Sequence, residues 1–284
     1  MEIPAPHRHD ILVTGLPRSG TTLLCHLLNK VPDTVALHEP LDMSRVAKLE
    51  TPSAIADEVA SFCQATRTSL ITRGAAFSRA IDGKVPDNNV PDAAVVASGL
   101  RQGGAEREEI TFDKPLTADL LLVVKHPILF TGMLETLTAR FTCFAVIRNP
   151  LAVLGSWNSV AMGVQNGHAR YAEQVDPGLR ASLAAIKDRI ERQFFLLAWF
   201  YEKYARLLPG ERIIRYEDVI ASGGRALQAI TPAAQALAEP LASKNASRVY
   251  PRDTQRALAE RLLRSKHDSF WKFYTRESVE ALLA

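Results

Sequence analysis

Near the N-terminus, a glycine loop separates an apolar run from a segment with the residue pattern of a helix. This arrangement limits the folds that the chain can adopt. The apolar residues 11–13 lead into the sequence GLPRSGTT at residues 15–22. A strand that ends at Thr14 and a helix that begins near Gly20 would leave the backbone N–H groups of residues 18–22 unpaired and aimed at a common point. An ordinary glycine turn is the alternative. The pattern predicts an anion-binding loop at the carboxyl end of a strand.

The loop lacks the lysine of a nucleoside triphosphate site. Such a site needs GxxxxGK[ST], with the lysine on the β- and γ-phosphates. Gly15 and Gly20 keep this spacing, but Thr21 stands in the lysine position. Arg18 adds a planar fork of donors. Further hydroxyl groups come from Ser19, Thr21 and Thr22. We therefore expect the loop to hold a tetrahedral anion smaller than ATP, without a metal.

A second candidate anion site follows another apolar run. Residues 144–147 are typical of a buried strand, and the sequence RNPLAVLGSW follows at 148–157. Pro150 suits the first turn of a helix. Arg148 would then lie at a strand end and Ser156 about two turns along the helix, so that both reach one phosphate. Alone, this motif would favour an arginine that pairs with a surface carboxylate; the two motifs together indicate a nucleotide site.

The two motifs together resemble those of sulfotransferases that use 3′-phosphoadenosine 5′-phosphosulfate (PAPS). In that family the first motif grips the 5′-phosphosulfate and the second grips the 3′-phosphate. The segment HEPL at 38–41 is similar to the glutamate-proline segment of Golgi carbohydrate sulfotransferases, and its distance from Arg18 resembles that in tyrosylprotein sulfotransferases. VKHP at 124–127 and RYED at 215–218 resemble later family segments. The resemblance spans roughly residues 10–220 and implies a P-loop NTPase-like sulfotransferase fold.

The resemblance also implies roles for individual residues. PAPS would be the sulfuryl donor, and adenosine 3′,5′-bisphosphate (PAP) the product. Transfer to a hydroxyl is expected to be an in-line displacement that depends on positioning and electrostatics. Glu39 would be the general base, while Lys125 and Arg18 neutralise the bridging and sulfuryl oxygens. The expected cofactor-binding residues are Pro17, Arg18, Ser19, Gly20, Thr21, Thr22, Arg148, Ser156 and Ser247.

Alternatives to these roles follow from the same residues. His126 is the rival base, because cytosolic small-molecule sulfotransferases use a histidine near this lysine. However, adjacent side chains of a strand point to opposite faces. Glu39 could instead form a salt bridge with Arg18 or Arg45. Lys125 could be a strand-end charge that reaches water.

The whole chain alternates strand and helix patterns, which predicts an α/β fold with a central parallel sheet and helices on both faces. Strands are expected near 10–14, 34–38, 119–125, 142–147 and 211–215. Helices are expected near 20–30, 43–50, 53–68, 127–139, 150–161, 180–207 and 217–230. We expect one domain over 1–284, with an irregular insertion at about 69–118 and a C-terminal helical segment at about 240–284.

Three irregular segments are candidates for contacts with ligands. The insertion either sets acceptor specificity or is a solvated loop. The segment 162–171 follows the second motif and could close as a lid. The segment 242–253 resembles a C-terminal loop that returns to the cofactor in related enzymes. Its candidate residues are Ser243, Lys244, Ser247 and Arg248.

The composition of the chain narrows the classes of function that it can have. The chain has 284 residues, 47% of them hydrophobic, and a formal charge of +3, so it can bury a large core and nucleic-acid binding gains little support. Its three cysteines lack paired spacing, the histidines lack metal-ligand spacing, and residues 1–10 lack a signal-peptide pattern. We expect a cytoplasmic enzyme without a membrane span or metal. A kinase-like phosphotransferase and an inactive nucleotide-binding module are the other function classes; the hydroxyl-bearing acceptor and the oligomeric state stay open.

Overall fold

A computed structural model describes residues 6–93 and 95–283. The first five residues of the N-terminal segment lie outside this part. The strands are β1 (Asp10–Gly15), β2 (Thr34–His38), β3 (Ala75–Ala80), β4 (Glu106–Thr111), β5 (Leu121–Lys125), β6 (Thr142–Ile147) and β7 (Ile213–Arg215). The α-helices are α1 (Thr21–Leu28), α2 (Met43–Val46), α3 (Pro52–Arg73), α4 (Pro127–Gly132), α5 (Leu134–Thr138), α6 (Pro150–Trp157), α7 (Arg170–Val175), α8 (Pro177–Ala185), α9 (Arg189–Leu207), α10 (Tyr216–Ala221), α11 (Arg252–Leu263) and α12 (Arg276–Glu280).

The main sheet is parallel throughout and has the strand order β2-β5-β1-β6-β7. Its strands are apolar runs, as expected when both faces of a parallel sheet are covered. Alternate residues face opposite layers: Leu12 and Val124 pack with α3 to α6, α9 and α11, whereas Val13 and Val123 pack with α1 and the segment after α10. The predicted α/β class, with a parallel sheet and helices on both faces, is confirmed.

Two predicted helices are each divided into two α-helices, and the helix expected over 217–230 ends as α10 at Ala221 before a 3-10 turn at Arg225–Ala229. The helix expected over 127–139 divides at Met133 into α4 and α5. The helix expected over 180–207 ends at Ala185 and begins again as α9, because the Asp188 carboxylate accepts a hydrogen bond from the Glu191 N–H at 2.8 Å and caps a new helix. The 3.6-residue apolar period continues across both breaks, so periodicity alone did not locate them.

The insertion is less irregular than predicted. Helix α3 extends to Arg73, and β3 pairs with β4 as an antiparallel hairpin. The Ser78 hydroxyl accepts a hydrogen bond from the His38 N–H at 3.0 Å and fastens this hairpin to the end of β2. The sequence of β4, EREEIT, has four charged residues in succession. It therefore lacks the apolar alternation that predicts a strand.

The segment predicted as a lid is part of the packed structure. A 3-10 turn at Gly163–Asn166 precedes α7, and α7 packs against α4. Val164 and Ala172 are buried in the core. The 3-10 turn packs against α9, so the segment is held by helices on both of its sides.

The three cysteines Cys25, Cys63 and Cys143 are free thiols and are buried. Within residues 6–93 and 95–283, the longest helices are too polar to cross a lipid bilayer. The C-terminal segment contains α11, a 3-10 turn at Ser269–Lys272 and α12, and α11 packs on α6.

Candidate functional site

Two glycines shape the loop between β1 and α1. Gly15 has φ 152°, and a Cβ there would lie 2.5 Å from the Val146 carbonyl oxygen. Gly20 has φ 91°, and a Cβ there would lie 2.6 Å from Cδ2 of Tyr216. Both positions therefore require glycine for space as well as for backbone conformation. They bring the loop against β6 on one side and against α10 on the other.

The loop leaves backbone donors free at the start of α1. The Ser19 N–H donates to the Leu16 carbonyl at 3.0 Å. No acceptor among the described residues lies within hydrogen-bond distance of the N–H groups of Gly20, Thr21 and Thr22. These three groups open at the carboxyl end of β1, where the helix dipole also favours an anion.

Other side chains of the loop hold its shape. The Ser19 hydroxyl is buried and donates to the Val146 carbonyl at 2.9 Å. The Pro17 carbonyl accepts a hydrogen bond from the Trp157 indole N–H at 2.8 Å. The loop is thereby fastened to β6 and to α6, the two elements that carry the second motif.

Arg18 joins the two predicted motifs. Its φ is 72°, a left-handed conformation that turns its side chain toward α6. Its Nε donates to Ser156 Oγ at 3.3 Å, and its Nη2 donates to Asn88 Oδ1 at 3.2 Å. Burial, with the nearby charges of Arg101 and Arg148, lowers the pKa of Arg18 to about 10. The site is thus cationic enough to favour an anion.

Arg148 lies under the loop and is 4% exposed. Its Nε donates to Asn245 Oδ1 at 2.7 Å, its Nη1 donates to the Arg18 carbonyl at 2.9 Å, and its guanidinium carbon lies 4.6 Å from the centre of the Tyr216 ring. Its Nη2 has no hydrogen-bond partner among the described residues. A buried guanidinium N–H without an acceptor is costly, so this atom fits a bound anion.

Arg101 is a site residue that the sequence analysis missed. It is 4% exposed, and it donates from Nη1 to Asp92 Oδ1 at 2.9 Å and from Nη2 to Ser159 Oγ at 2.7 Å. Its Nε has no partner within the part of the chain that the structure describes. Arg18, Arg101 and Arg148 form what we call the arginine cluster. Arg101 falls in the insertion, where no motif marks it.

Two segments cover the arginine cluster. One is the part of the insertion that carries Asn88 and Asp92. The other is the C-terminal loop, where Lys244 Nζ lies 3.4 Å from Asp92 Oδ2. Ser156 is fully buried beneath them. The insertion is therefore not a solvated loop remote from the site.

The C-terminal loop reaches the arginine cluster through a residue that was not predicted. Asn245, rather than Ser247, contacts Arg148. The Ser247 hydroxyl accepts from the Val249 N–H at 3.5 Å within its own turn, and the Ser243 hydroxyl accepts from the Asn245 N–H at 3.2 Å. An asparagine in an aperiodic loop carries no signal that distinguishes it from its neighbours.

The predicted Glu39 and Lys125 meet at the ends of two adjacent strands. Lys125 Nζ donates to Glu39 Oε1 at 3.0 Å, and Lys125 is 2% exposed. The alternative that Lys125 reaches water is therefore wrong. The alternative partner Arg45 instead binds Glu58 at 2.9 Å, while Arg79 Nε lies 3.8 Å from Glu39 Oε2.

The charges around this pair keep Glu39 ionised. Burial alone would raise the pKa of the Glu39 carboxyl, but the charge and hydrogen bond of Lys125 outweigh it and hold that pKa well below the usual range. The Glu39 side chain is 30% exposed. His126 is 4% exposed, and burial lowers its pKa to about 4. Of the two candidate bases, Glu39 is the more exposed.

Glu217 connects the site to the C-terminal part of the chain. Its Oε1 accepts hydrogen bonds from the Asn149 N–H at 2.9 Å and from Asn245 Nδ2 at 2.8 Å. Its Oε2 accepts from the Tyr274 hydroxyl at 2.7 Å. Glu217 of the RYED segment therefore ties Asn149, Asn245 and Tyr274 together beside the arginine cluster.

Comparisons with known proteins add a likeness of fold. No protein-family model and no curated protein matches the chain. Among solved structures, the chain is similar to the sulfotransferase domain of the olefin synthase from Synechococcus PCC 7002, with 14% identity and a TM-score of 0.39 over 99% of this chain and 96% of that one. It is also similar to the sulfotransferase STF1 from Mycobacterium tuberculosis H37Rv, with 14% identity and a TM-score of 0.34 over 99% of this chain and 77% of that one.

Proposed function

We propose that the chain is a PAPS-dependent O-sulfotransferase that transfers a sulfuryl group to the hydroxyl of an acceptor. One observation carries the proposal: a lysine-free glycine loop and an arginine cluster with unpartnered donors lie at the same sheet edge as a Glu39–Lys125 pair. The first two features fit a nucleotide with separate anionic groups. The third fits proton removal beside developing negative charge.

The residues that would hold PAPS divide between the two motifs. The backbone N–H groups of residues 20–22 and the Arg18 guanidinium would bind the 5′-phosphosulfate. Arg148, Ser156 and Arg101 would bind the 3′-phosphate, because buried donors of Arg148 and Arg101 lack partners among the residues that the structure describes. Pro17, Ser19 and Thr21 contribute through the shape of the loop, and Ser247 through the turn that leads to Tyr250. The covering segments have to open for the nucleotide to enter.

The chemistry would fall to Glu39 and Lys125. When bound, PAPS supplies an activated sulfuryl group, and the acceptor oxygen bonds to sulfur as the bond to the departing PAP breaks. Glu39, ionised at neutral pH, would take the proton of the acceptor hydroxyl. Lys125 and Arg18 would stabilise the developing negative charge. A positioned base contributes about 10²–10⁴-fold.

The proposal places the protein with the tyrosylprotein and carbohydrate branch, because its candidate base precedes the second motif. The acceptor class is a peptidyl tyrosine, a carbohydrate, a lipid or a small alcohol. A cytoplasmic location and a single domain over 1–284 belong to the same proposal.

Calorimetric titration tests the cofactor class. The protein would be titrated with PAP, ATP, ADP and AMP in parallel, with EDTA present. We expect tight binding of PAP alone and a loss of at least about tenfold in Arg148→Gln. Arg206→Gln, which removes an exposed arginine bound to Glu135, is the matched control. Binding of ATP once Mg²⁺ is restored, without binding of PAP, would instead establish a kinase-like phosphotransferase.

A further inference from the structure

The neutral ring of His38 is built into the ion pair of the candidate active site. His38 is 1% exposed, and its Nδ1 lies 2.9 Å from Lys125 Nζ. An ammonium group has three donors and no acceptor. Nδ1 must therefore accept through its lone pair, which places the ring proton on Nε2. This tautomer follows from chemistry rather than from an observed hydrogen.

This arrangement is costly for the fold. His38 Nε2 is buried and has no hydrogen-bond partner among residues 6–93 and 95–283. A buried N–H without a partner destabilises the folded chain, because it loses its hydrogen bond to water and gains none in return. The backbone of His38 does not need the ring, because its N–H is held by Ser78 Oγ at 3.0 Å and β2 pairs in register with β5. An apolar side chain would fill the same place without this cost. Packing alone therefore does not explain why a residue with the acceptor Nδ1 stands here.

The position of the acceptor explains what the ring does. Lys125 Nζ has two acceptors, Glu39 Oε1 at 3.0 Å and His38 Nδ1 at 2.9 Å. The two partners draw the ammonium in different directions. Without Nδ1, the Glu39 carboxylate would be the remaining partner of the ammonium among the described residues, and we expect the ammonium to turn further toward it. Both carboxylate oxygens would then be engaged with Lys125.

We infer that His38 is a positioning residue for Lys125 and Glu39. It holds the ammonium between two acceptors, which leaves Glu39 Oε2 available to take the proton of an acceptor hydroxyl. It also fixes the direction of the remaining Lys125 N–H. The inference rests on the proposed function, because the proton and the developing charge belong to sulfuryl transfer.

Two amide substitutions separate positioning from packing. In His38→Asn the amide oxygen can occupy the place of Nδ1 and accept from Lys125. In His38→Gln the amide lies one bond farther out, near the place of Nε2. We expect His38→Asn to keep turnover of PAPS within about threefold, and His38→Gln to lower kcat by about 10- to 100-fold, since a misplacement of about 1 Å has effects of this size. The Kd for PAP should stay within twofold in both variants.

A measurement without turnover tests the geometry by itself. Nitrogen-15 spectra of the PAP-free protein would assign the His38 tautomer and the Lys125 ammonium signal. We expect an unprotonated Nδ1 at pH 7 and a Lys125 signal that changes in His38→Gln but is preserved in His38→Asn. A protonated Nδ1, or equal kcat values in folded Asn and Gln variants, would overturn the inference. Absence of PAP binding with the expected tautomer would instead count against the sulfotransferase proposal alone.

Discussion

At the scale of single residues, the proposed chemistry depends on one carboxylate. Glu39→Gln keeps the size of the side chain and removes the charge. We expect kcat for sulfuryl transfer from PAPS to fall by about 10²–10⁴-fold, while the Kd for PAP changes less than twofold, because the base acts on the acceptor. Initial rates with labelled PAPS and calorimetry measure the two quantities. Glu58→Gln, which breaks the ion pair with Arg45, is the control, and near-normal turnover in Glu39→Gln would remove Glu39 as the base.

Lys125 is expected to act mainly in the transition state. Lys125→Met retains an unbranched side chain of similar length without the charge. We expect a loss in kcat of about 10²-fold or more with little change in the affinity for PAP, because charge on the bridging oxygen develops as the bond breaks. Lys203→Met is a matched control, since Lys203 is also a buried lysine bound to a carboxylate, Glu135, at 2.8 Å. An effect confined to PAP affinity would make Lys125 a binding residue only.

Residues beside a motif could be located from the sequence, and residues far from one could not. Glu39, Lys125 and Arg148 lie at strand ends because each directly follows, or ends, an apolar run. Arg101 and Asn245 are distant along the chain from the residues they accompany. Their places depend on how the insertion and the C-terminal loop fold back, and a single sequence contains no local pattern for that.

At the scale of elements, the glycine loop sets how closely α10 approaches α1. Gly20→Ala would place a methyl group 2.6 Å from the Tyr216 ring at a φ of 91°. We expect a loss of about 1–3 kcal/mol in the free energy of unfolding and a weaker affinity for PAP, because the loop must shift. Urea unfolding and calorimetry measure both. Gly210→Ala, where a Cβ would meet nothing within 4 Å, should change neither, and equal behaviour of the two variants would contradict the role of the loop.

The cover over the arginine cluster carries its own carboxylate. Asp92 binds Arg101 and Lys244, so it competes with an anionic ligand for both cations. Because partly exposed ion pairs contribute about 0.2–1 kcal/mol, we expect Asp92→Asn to bind PAP about two- to fivefold more tightly. Asp87→Asn removes the same charge from an exposed position of the same segment and serves as the control. Weaker binding in Asp92→Asn would show that the cover helps to form the site.

The elements of the main sheet could be predicted because parallel strands are buried on both faces and stand out as apolar runs. The hairpin β3–β4 could not, because its second strand presents charged side chains to solvent on an edge of the molecule. The division between α8 and α9 depends on a single capping aspartate within a continuous apolar period. Such breaks depend on local hydrogen bonds, and the spacing of apolar residues does not indicate where these form.

At the scale of the whole molecule, two buried neutral histidines make stability depend on pH. Burial lowers the pKa of His38 to about 2 and that of His126 to about 4. The unfolded chain binds a proton at each position as the pH falls through about 6.5, whereas the folded chain does not. Stability is therefore fully present above that pH and falls below it. Each histidine contributes about 1.4 kcal/mol per pH unit, until the pH approaches its folded pKa.

Urea unfolding at pH 7.5, 6 and 5 measures this dependence. We expect the free energy of unfolding to decrease over this range in the wild-type chain and to decrease less in the double variant His38→Asn/His126→Asn. The two chains serve as controls for each other, because the comparison is between their slopes of unfolding free energy against pH. A wild-type free energy that stays constant between pH 7.5 and pH 5 would show that the two rings are not held neutral.

The hydrogen bonds that Glu217 makes to the C-terminal part of the chain affect the order in which the sheet and the candidate site are completed during synthesis. The parallel sheet has all its strands once Arg215 has left the ribosome. The amide that binds Arg148 comes from Asn245, and the hydroxyl that binds Glu217 comes from Tyr274. A nascent chain can therefore possess its complete sheet while the proposed nucleotide site still lacks two supporting residues. The appearance of PAP binding would therefore show that the C-terminal helices have folded, which happens after the core is buried.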